Sequence, residues 1–281
     1  MAGEFDYEVS RKLWEAAVPV EIYFEREDDS GDACQPSYAM LPRCSYFPVH
    51  LPRNTSISSL QILEQLGARE HGVKLEVEKV WLESNGVPLK IYYPIGVLFD
   101  LHRSQDSPTL TVTIKTSLRP EGISFVSRDI IEAMFMQSVK EANYLKYRKN
   151  EIVSTMKMDE HKQLWSSLVH DRFDDFWSVN RRLMECTDER PFHDIPIRLY
   201  AIGKPFRQIL QPPLDENGEP RTLNNALNAL SLDLIQNEKY QFISHGVTLP
   251  METPLTYLGK NLAYPDNFVH ICAVIVCNTH V

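Results

Sequence analysis

From residue 124 to residue 186 the chain contains no glycine and no proline. These two residue types interrupt helices most effectively. Proline lacks a backbone N–H and clashes with the preceding turn, and glycine has the most backbone freedom to lose. So long a stretch without either predicts helix, and the rest of the chain must be organised around it. Within it, HKQLWSSLVHDRFDDFWSVNRRLME (161–185) carries Leu164, Leu168, Phe173, Phe176, Val179 and Leu183 at mixed three- and four-residue spacing, the pattern of helices with one apolar face. LRPEG (118–122) precedes the stretch and TDERP (187–191) follows it, and both are expected domain breaks.

On either side the text changes to strands and turns. A short amphipathic helix is expected in EVSRKLWEAA (8–17), with Val9, Leu13 and Ala17 on one side. PVEIYFERE (19–27) alternates like a strand, and SYAMLPRCSYFPV (37–49) reads as a second extended segment. SISSLQILEQLG (56–67) reads as a helix with a Ser cap and a terminal glycine. KVWLESNGVPLKIYY (79–93) holds an Asn85-Gly86 turn signal, IGVLFDLH follows as a short helix, and TLTVTIKT (109–116) is a strand. After the helical middle the same order returns. DIPIRLYAIG (194–203) and FRQILQP (206–212) are extended, and TLNNALNALSLDL (222–234) is helical with Leu223, Leu227, Leu230 and Leu234 in one stripe. KYQFISHGV (239–247) is a strand, TPLTYLGKNLAYP a short helix, and NFVHICAVIV (267–276) a closing strand. The wording also echoes: NGVPL in the first half, HGVTL in the second. A small mixed sheet wrapped on one helix, used twice, is the ubiquitin-like roll. The expected fold class is α+β, with two ubiquitin-like β-grasp rolls flanking a helix-rich domain. The expected division is an N-terminal helix (1–17), a first roll (18–119), a helix-rich domain (120–190) and a second roll (191–281).

Composition narrows the function classes. The chain has 281 residues, enough to bury about three quarters of its unfolded surface. A net charge of -9 argues against general nucleic-acid binding. Cys34, Cys44, Cys186, Cys272 and Cys277 form no framework and no CxxC pair, which fits a reducing compartment. The first residues have neither a basic nor a continuous apolar segment, so no signal peptide is expected, and no run of 18 apolar residues predicts a membrane span.

The stretch FMQSVKEANYLKYRK (135–149) concentrates lysines on a helix. With Ser127 opening that helix, Ile131, Met134, Phe135, Ala142 and Leu145 make an apolar stripe. Lys140 lies about 2.5 turns beyond Ile131 and points away from the stripe, whereas Lys146 sits about 60° from its centre and Lys149 would fall on it. Decoration by solvated lysine is the bland account of Lys140. An ordinary lysine, with a pKa of about 10.4, is almost entirely protonated at pH 7. If Lys140 acts as a nucleophile, another protein must deprotonate and align it.

Other candidates have bland accounts too. Asp171, Asp174 and Asp175 lie between aromatic core positions and read as the wet face of a helix. His161 and His170 lack ligand spacing on a shared face, and no metal site or cofactor is expected. His245 and His270 lie in strand text as structural residues. Nucleotide-loop and nucleophile-elbow motifs are missing. Trp81, Tyr92, Tyr93 and Tyr264, with Pro94 and Pro265, either brace the corners of the rolls or line a partner groove.

Four blocks, WLESNGVPLKIYYPIGVLFDL, IEAMFMQSVKEANYLK, DEHKQLWSSLVHDRFDDFWSVNRRLME and METPLTYLGKNLAYPDNFVHI, together resemble the autophagy protein 5 family. The resemblance implies a non-enzymatic scaffold with two ubiquitin-like domains around a helix-rich one. It implies that the lysine of the family motif MKEA, here VKEA and Lys140, takes an isopeptide bond from the C-terminal glycine of the ubiquitin-like autophagy protein 12, delivered by the autophagy activating and conjugating enzymes. The conjugate would bind autophagy protein 16, helix in groove, with Trp81, Tyr92, Tyr93 and Tyr264 as groove candidates. It would promote lipidation of the autophagy protein 8 family on phosphatidylethanolamine, from the cytoplasm at the preautophagosomal membrane. Two other readings stand beside it: a ubiquitin-like adaptor that is never conjugated, and an acid-base enzyme using Asp171 or Asp175.

Overall fold

The computed structural model describes residues 5–25, 36–50, 80–103, 107–115, 118–124, 126–149, 151–187, 189–229 and 240–275. The helix expected over 56–67, the turn over 28–32, Leu230, Leu234, Cys34 and Cys277 lie outside them. The chain forms two compact units, Ala16–Ile131, and Met1–Glu15 with Glu132–Val281.

In the first unit, strands β1 (Ala17–Phe24), β2 (Ser37–Pro42), β3 (Trp81–Ser84), β4 (Val87–Pro88) and β5 (Leu110–Lys115) form one sheet of order β2-β1-β5-β3-β4. The central pair β1 and β5 is parallel and the outer pairings are antiparallel. Alternation decides the faces: Val18, Val20, Ile22, Leu110, Val112 and Ile114 are buried, while Thr111, Thr113 and Lys115 face the other way. Helices α2 (Phe47–His50) and α3 (Ile95–His102) lie in this unit. In α3 every residue from Ile95 to Leu101 is buried. One of them is Asp100, which meets the equally buried Arg43 at 2.5 Å.

The second unit contains the helical stretch from Glu132 onward and the second sheet together. The expected uninterrupted helical text resolves into α4 (Arg128–Tyr147), α5 (Glu151–Thr155), α6 (Met158–Val169) and α7 (Phe173–Met184). Glycine and proline are missing from the breaks, and non-glycine residues make the turns: Arg148 and Asp171 both adopt left-handed backbone, φ 55° and 53°. The N-terminal helix, α1 (Tyr7–Glu15), is capped by Asp6, whose carboxylate accepts from the N–H groups of Glu8 and Val9. It packs through Trp14, whose ring lies 5.7 Å from Phe173 and 4.8 Å from Phe176. Ala17, placed on the helix by periodicity, instead begins β1.

The second sheet comprises β6 (Ile195–Ala201), β7 (Arg207–Gln211), β8 (Tyr240–Ser244), β9 (Val247–Thr248) and β10 (Val269–Ile275), in the order β7-β6-β10-β8-β9. This is the first sheet's order over again, with β6 and β10 as the parallel pair. Helices α8 (Leu223–Asn228) and α9 (Leu255–Asn261) cover its inner face, joining Ile195, Ile197, Leu199, Val269 and Ile271 in one core. The NGV and HGV echo is the β3–β4 and β8–β9 hairpins. Asn85 and Gly86 take φ of 49° and 78°, and His245 and Gly246 take 51° and 81°. Two consecutive positive φ values are what a type I′ two-residue hairpin demands.

Candidate functional site

Helix α4 carries the lysine cluster. Ser127 opens it as expected, its hydroxyl accepting from the Ile130 N–H at 3.3 Å. Lys140 is exposed. Val139 and Ala142 have no accessible surface, and Asn143 is buried as well. The turn bearing Lys140 is therefore fixed from behind.

The buried arc of α4 differs from the expected stripe. Met134, assigned to it, is exposed, while Val139, Asn143 and Lys146 are buried. The helix packs through Phe135 against Trp165 of α6 at 5.7 Å, and through Ala142 and Leu145 against Phe268 of the second roll. A helix held from two directions buries a broader arc than one apolar stripe describes.

Lys146 lies inside that arc with 0% of its surface accessible. Its Nζ donates to Met184 Sδ at 2.9 Å, reaches Asn267 Oδ1 at 3.5 Å, and sits 5.3 Å from the Phe192 ring centroid. Burial pulls its pKa down to about 7, against the smaller opposing pull of Asp266 and Cys186. Asn267 in turn donates to Asn180 Oδ1 at 2.9 Å.

On the sheet side, Arg198 of β6 lies over Phe268 with its guanidinium carbon 3.6 Å from the ring centroid. It reaches Ser138 Oγ at 3.2 Å, Glu141 Oε2 at 3.4 Å and Asp266 Oδ2 at 3.4 Å. Gln208 of β7 donates to Glu141 Oε1 at 2.7 Å. Behind this lies a buried row. The Tyr200 hydroxyl and His270 Nδ1 are 2.7 Å apart, and His270 Nε2 is 3.0 Å from Asp266 Oδ1. Burial alone would raise the Asp266 pKa, but His270 and Arg198 hold it below the usual carboxylate range. The row has no surface to offer a substrate: Tyr200, His270 and Asp266 are all buried.

Trp81, Tyr93 and Tyr264 correct the groove expectation, being only 7%, 7% and 2% accessible. Their surface is taken up inside their own units. Tyr264 stacks on His245 at 4.0 Å, and Tyr93 meets Tyr92 edge-on at 4.8 Å. Tyr92 alone of the four keeps partial exposure. Large aromatics at corners spend their area on the nearest core. Trp81, Tyr92 and Tyr93 belong to the first unit and Tyr264 to the second.

The aspartates of HDRFDDFW face solvent and hold structure together. Asp174 accepts from the Tyr7 hydroxyl at 2.8 Å and pairs with Arg11, and Asp175 pairs with Arg172 at 3.3 Å. His161 and His170 join no group of three or more metal-ligating side chains among the described residues.

Comparison with known proteins turns on the three segments just described. Family models match each in turn: "Autophagy protein ATG5, UblA domain" over residues 13–116, "alpha-helical bundle region" over 128–186, and "UblB domain" over 194–273. The chain belongs to the autophagy protein 5 family. Autophagy-related protein 5 of Caenorhabditis elegans is 38% identical, over 96% of this chain and 99% of that one. Autophagy protein 5 of Drosophila melanogaster is 35% identical, over 95% and 96%. The crystal structure of Kluyveromyces marxianus Atg5 superposes with a TM-score of 0.75 at 17% identity, covering 95% of this chain and all of that one, a likeness of fold. The four residues that the resemblance aligns with MKEA read VKEA here, with Val139 in first place. That position is buried, and an apolar replacement there leaves the exposed Lys140 untouched.

Proposed function

We propose that this autophagy protein works as a conjugation scaffold, with Lys140 as the acceptor of the ubiquitin-like autophagy protein 12. An isopeptide forms when a neutral amine attacks an activated carboxyl such as a thioester. The C–N bond forms, the C–S bond breaks, the thiolate leaves and the amine gives up a proton. The chain supplies the amine, and the autophagy activating and conjugating enzymes supply the activated glycine and the base. One observation carries this reading: in a member of this family, the lysine of the VKEA motif is exposed on a helix that is buried nearby at Val139, Ala142 and Asn143. The conjugate binds autophagy protein 16 and promotes transfer of the autophagy protein 8 family onto phosphatidylethanolamine at the preautophagosomal membrane. The chain itself is not catalytic.

The test is a denaturing immunoblot of tagged chain from cells, comparing wild type with Lys140→Arg. Arginine keeps the charge but cannot form the isopeptide. A band well above 32.5 kDa that disappears in the variant supports the reading. A shifted band surviving in the variant moves the site to another lysine, with Lys149 next. No shifted band in wild type, with the enzymes present, favours the unconjugated adaptor.

A further inference from the structure

We propose that Glu141, held by Gln208 and Arg198, is the positioning residue that aims Lys140 during conjugation. The inference rests on the reading of Lys140 as acceptor. Ser138 and Glu141 are one turn apart on the side of α4 that meets β6 and β7. Lys140 is turned about 100° from Glu141 along the helix. Arg198 touches α4 on both sides of Lys140 in sequence, at Ser138 Oγ and Glu141 Oε2, and Gln208 closes the second oxygen of Glu141 at 2.7 Å. Arg198 is itself fixed, by Asp266 at 3.4 Å and by the Phe268 ring beneath it. A helix packed only through apolar side chains can rotate slightly about its axis with little loss. A planar guanidinium and an amide anchored to two sheet strands resist that rotation, because their hydrogen bonds are directional.

The consequence is geometric. Acyl transfer to an amine needs the nitrogen held about 3 to 3.5 Å from the carbonyl carbon along a narrow approach, and small misplacements lower the rate steeply. The enzyme delivering the modifier can bind the chain at one surface and meet the amine at another. A rotated α4 would then leave binding intact while moving Lys140 off line. Glu141 also spends both carboxylate oxygens on the sheet, so it stays oriented toward β6 and β7 and away from the acceptor.

The experiment is a steady-state conjugation assay with purified full-length chain and the modifier loaded as a thioester on its conjugating enzyme, for wild type, Glu141→Ala, Gln208→Ala and Glu141→Gln. Melting temperatures are measured in parallel, and the modified lysine is located by peptide mass. Glu141→Ala is expected to lower kcat about tenfold with KM within twofold, and to pass part of the modifier to Lys149. Gln208→Ala should go in the same direction with a smaller loss. Glu141→Gln keeps an acceptor for Gln208 but turns an amide NH2 toward Arg198, and is expected to recover part of the rate, which a general loss of structure would not allow. Wild-type kcat in Glu141→Ala, or a loss confined to KM, overturns the proposal while leaving Lys140 as acceptor. A wild-type chain that forms no isopeptide on Lys140 overturns both.

Discussion

The amine of Lys146 rests 2.9 Å from the sulfur of Met184, enclosed where α4, α7 and the turn before β10 meet. A thioether accepts a hydrogen bond weakly and carries no charge to offset an ammonium. A lysine held this way favours its neutral form, and its pKa falls to about 7.

The sign of the pH effect follows. With the folded pKa near 7 and the unfolded value near 10.5, the unfolded chain binds the extra proton between them. Lys146 therefore lowers stability progressively as pH falls from about 10 to 7, and by a constant amount below that. Lys146→Met should remove this dependence and raise stability at pH 6 by a few kcal/mol relative to wild type. Urea titrations at pH 6, 7.5 and 9 measure it. Equal slopes for both proteins would mean that the amine is not desolvated as described.

Arg43 and Asp100 form a buried ion pair in the first unit. Asp100→Ala strands a guanidinium in the core and is expected to cost about 3–5 kcal/mol, whereas a double replacement by apolar residues of similar volume should cost far less. Comparison of the two by denaturant midpoint separates pairing from packing.

Trp14 fixes α1 against Phe173 and Phe176. Trp14→Ala removes about 3–5 kcal/mol of packing. Much of that loss should appear as release of the terminal helix, since α1 also hangs on Arg11–Asp174 and on the Asp6 N–H bonded to Asn261 at 2.8 Å. Limited proteolysis should cut the variant near Ala16 well before the bundle. Simultaneous digestion of both regions would show that α1 and the bundle unfold as one.

Gly246 sits at φ 81° in the β8–β9 hairpin. Gly246→Ala should cost about 1–2 kcal/mol through left-handed strain. The melting temperature should fall by a few degrees. An unchanged melting temperature would mean that the hairpin adopts another turn at no cost.

Much of the fold was legible because it rests on local rules. Asn85-Gly86 and His245-Gly246 announce hairpins through the φ values they tolerate. The glycine- and proline-free stretch announces helices, and the repeated order of strand and helix announces two rolls. That Lys140 faces outward follows from 3.6 residues per turn. The same periodicity misplaced Met134 and left Lys146 at the flank of the stripe, because it orders side chains around an axis but does not say how wide an arc the neighbours will cover. Trp81, Tyr93 and Tyr264 looked like binding residues by type, and only packing showed that their area is already used. The anchoring of Glu141 by Arg198 and Gln208 joins positions far apart in the chain, and no local pattern couples them. The sequence by itself determined the elements, their order and the outward direction of one lysine. The tertiary structure decided which lysine is entombed and what holds the other's helix in place, because burial and directional hydrogen bonds depend on neighbours that only folding brings together.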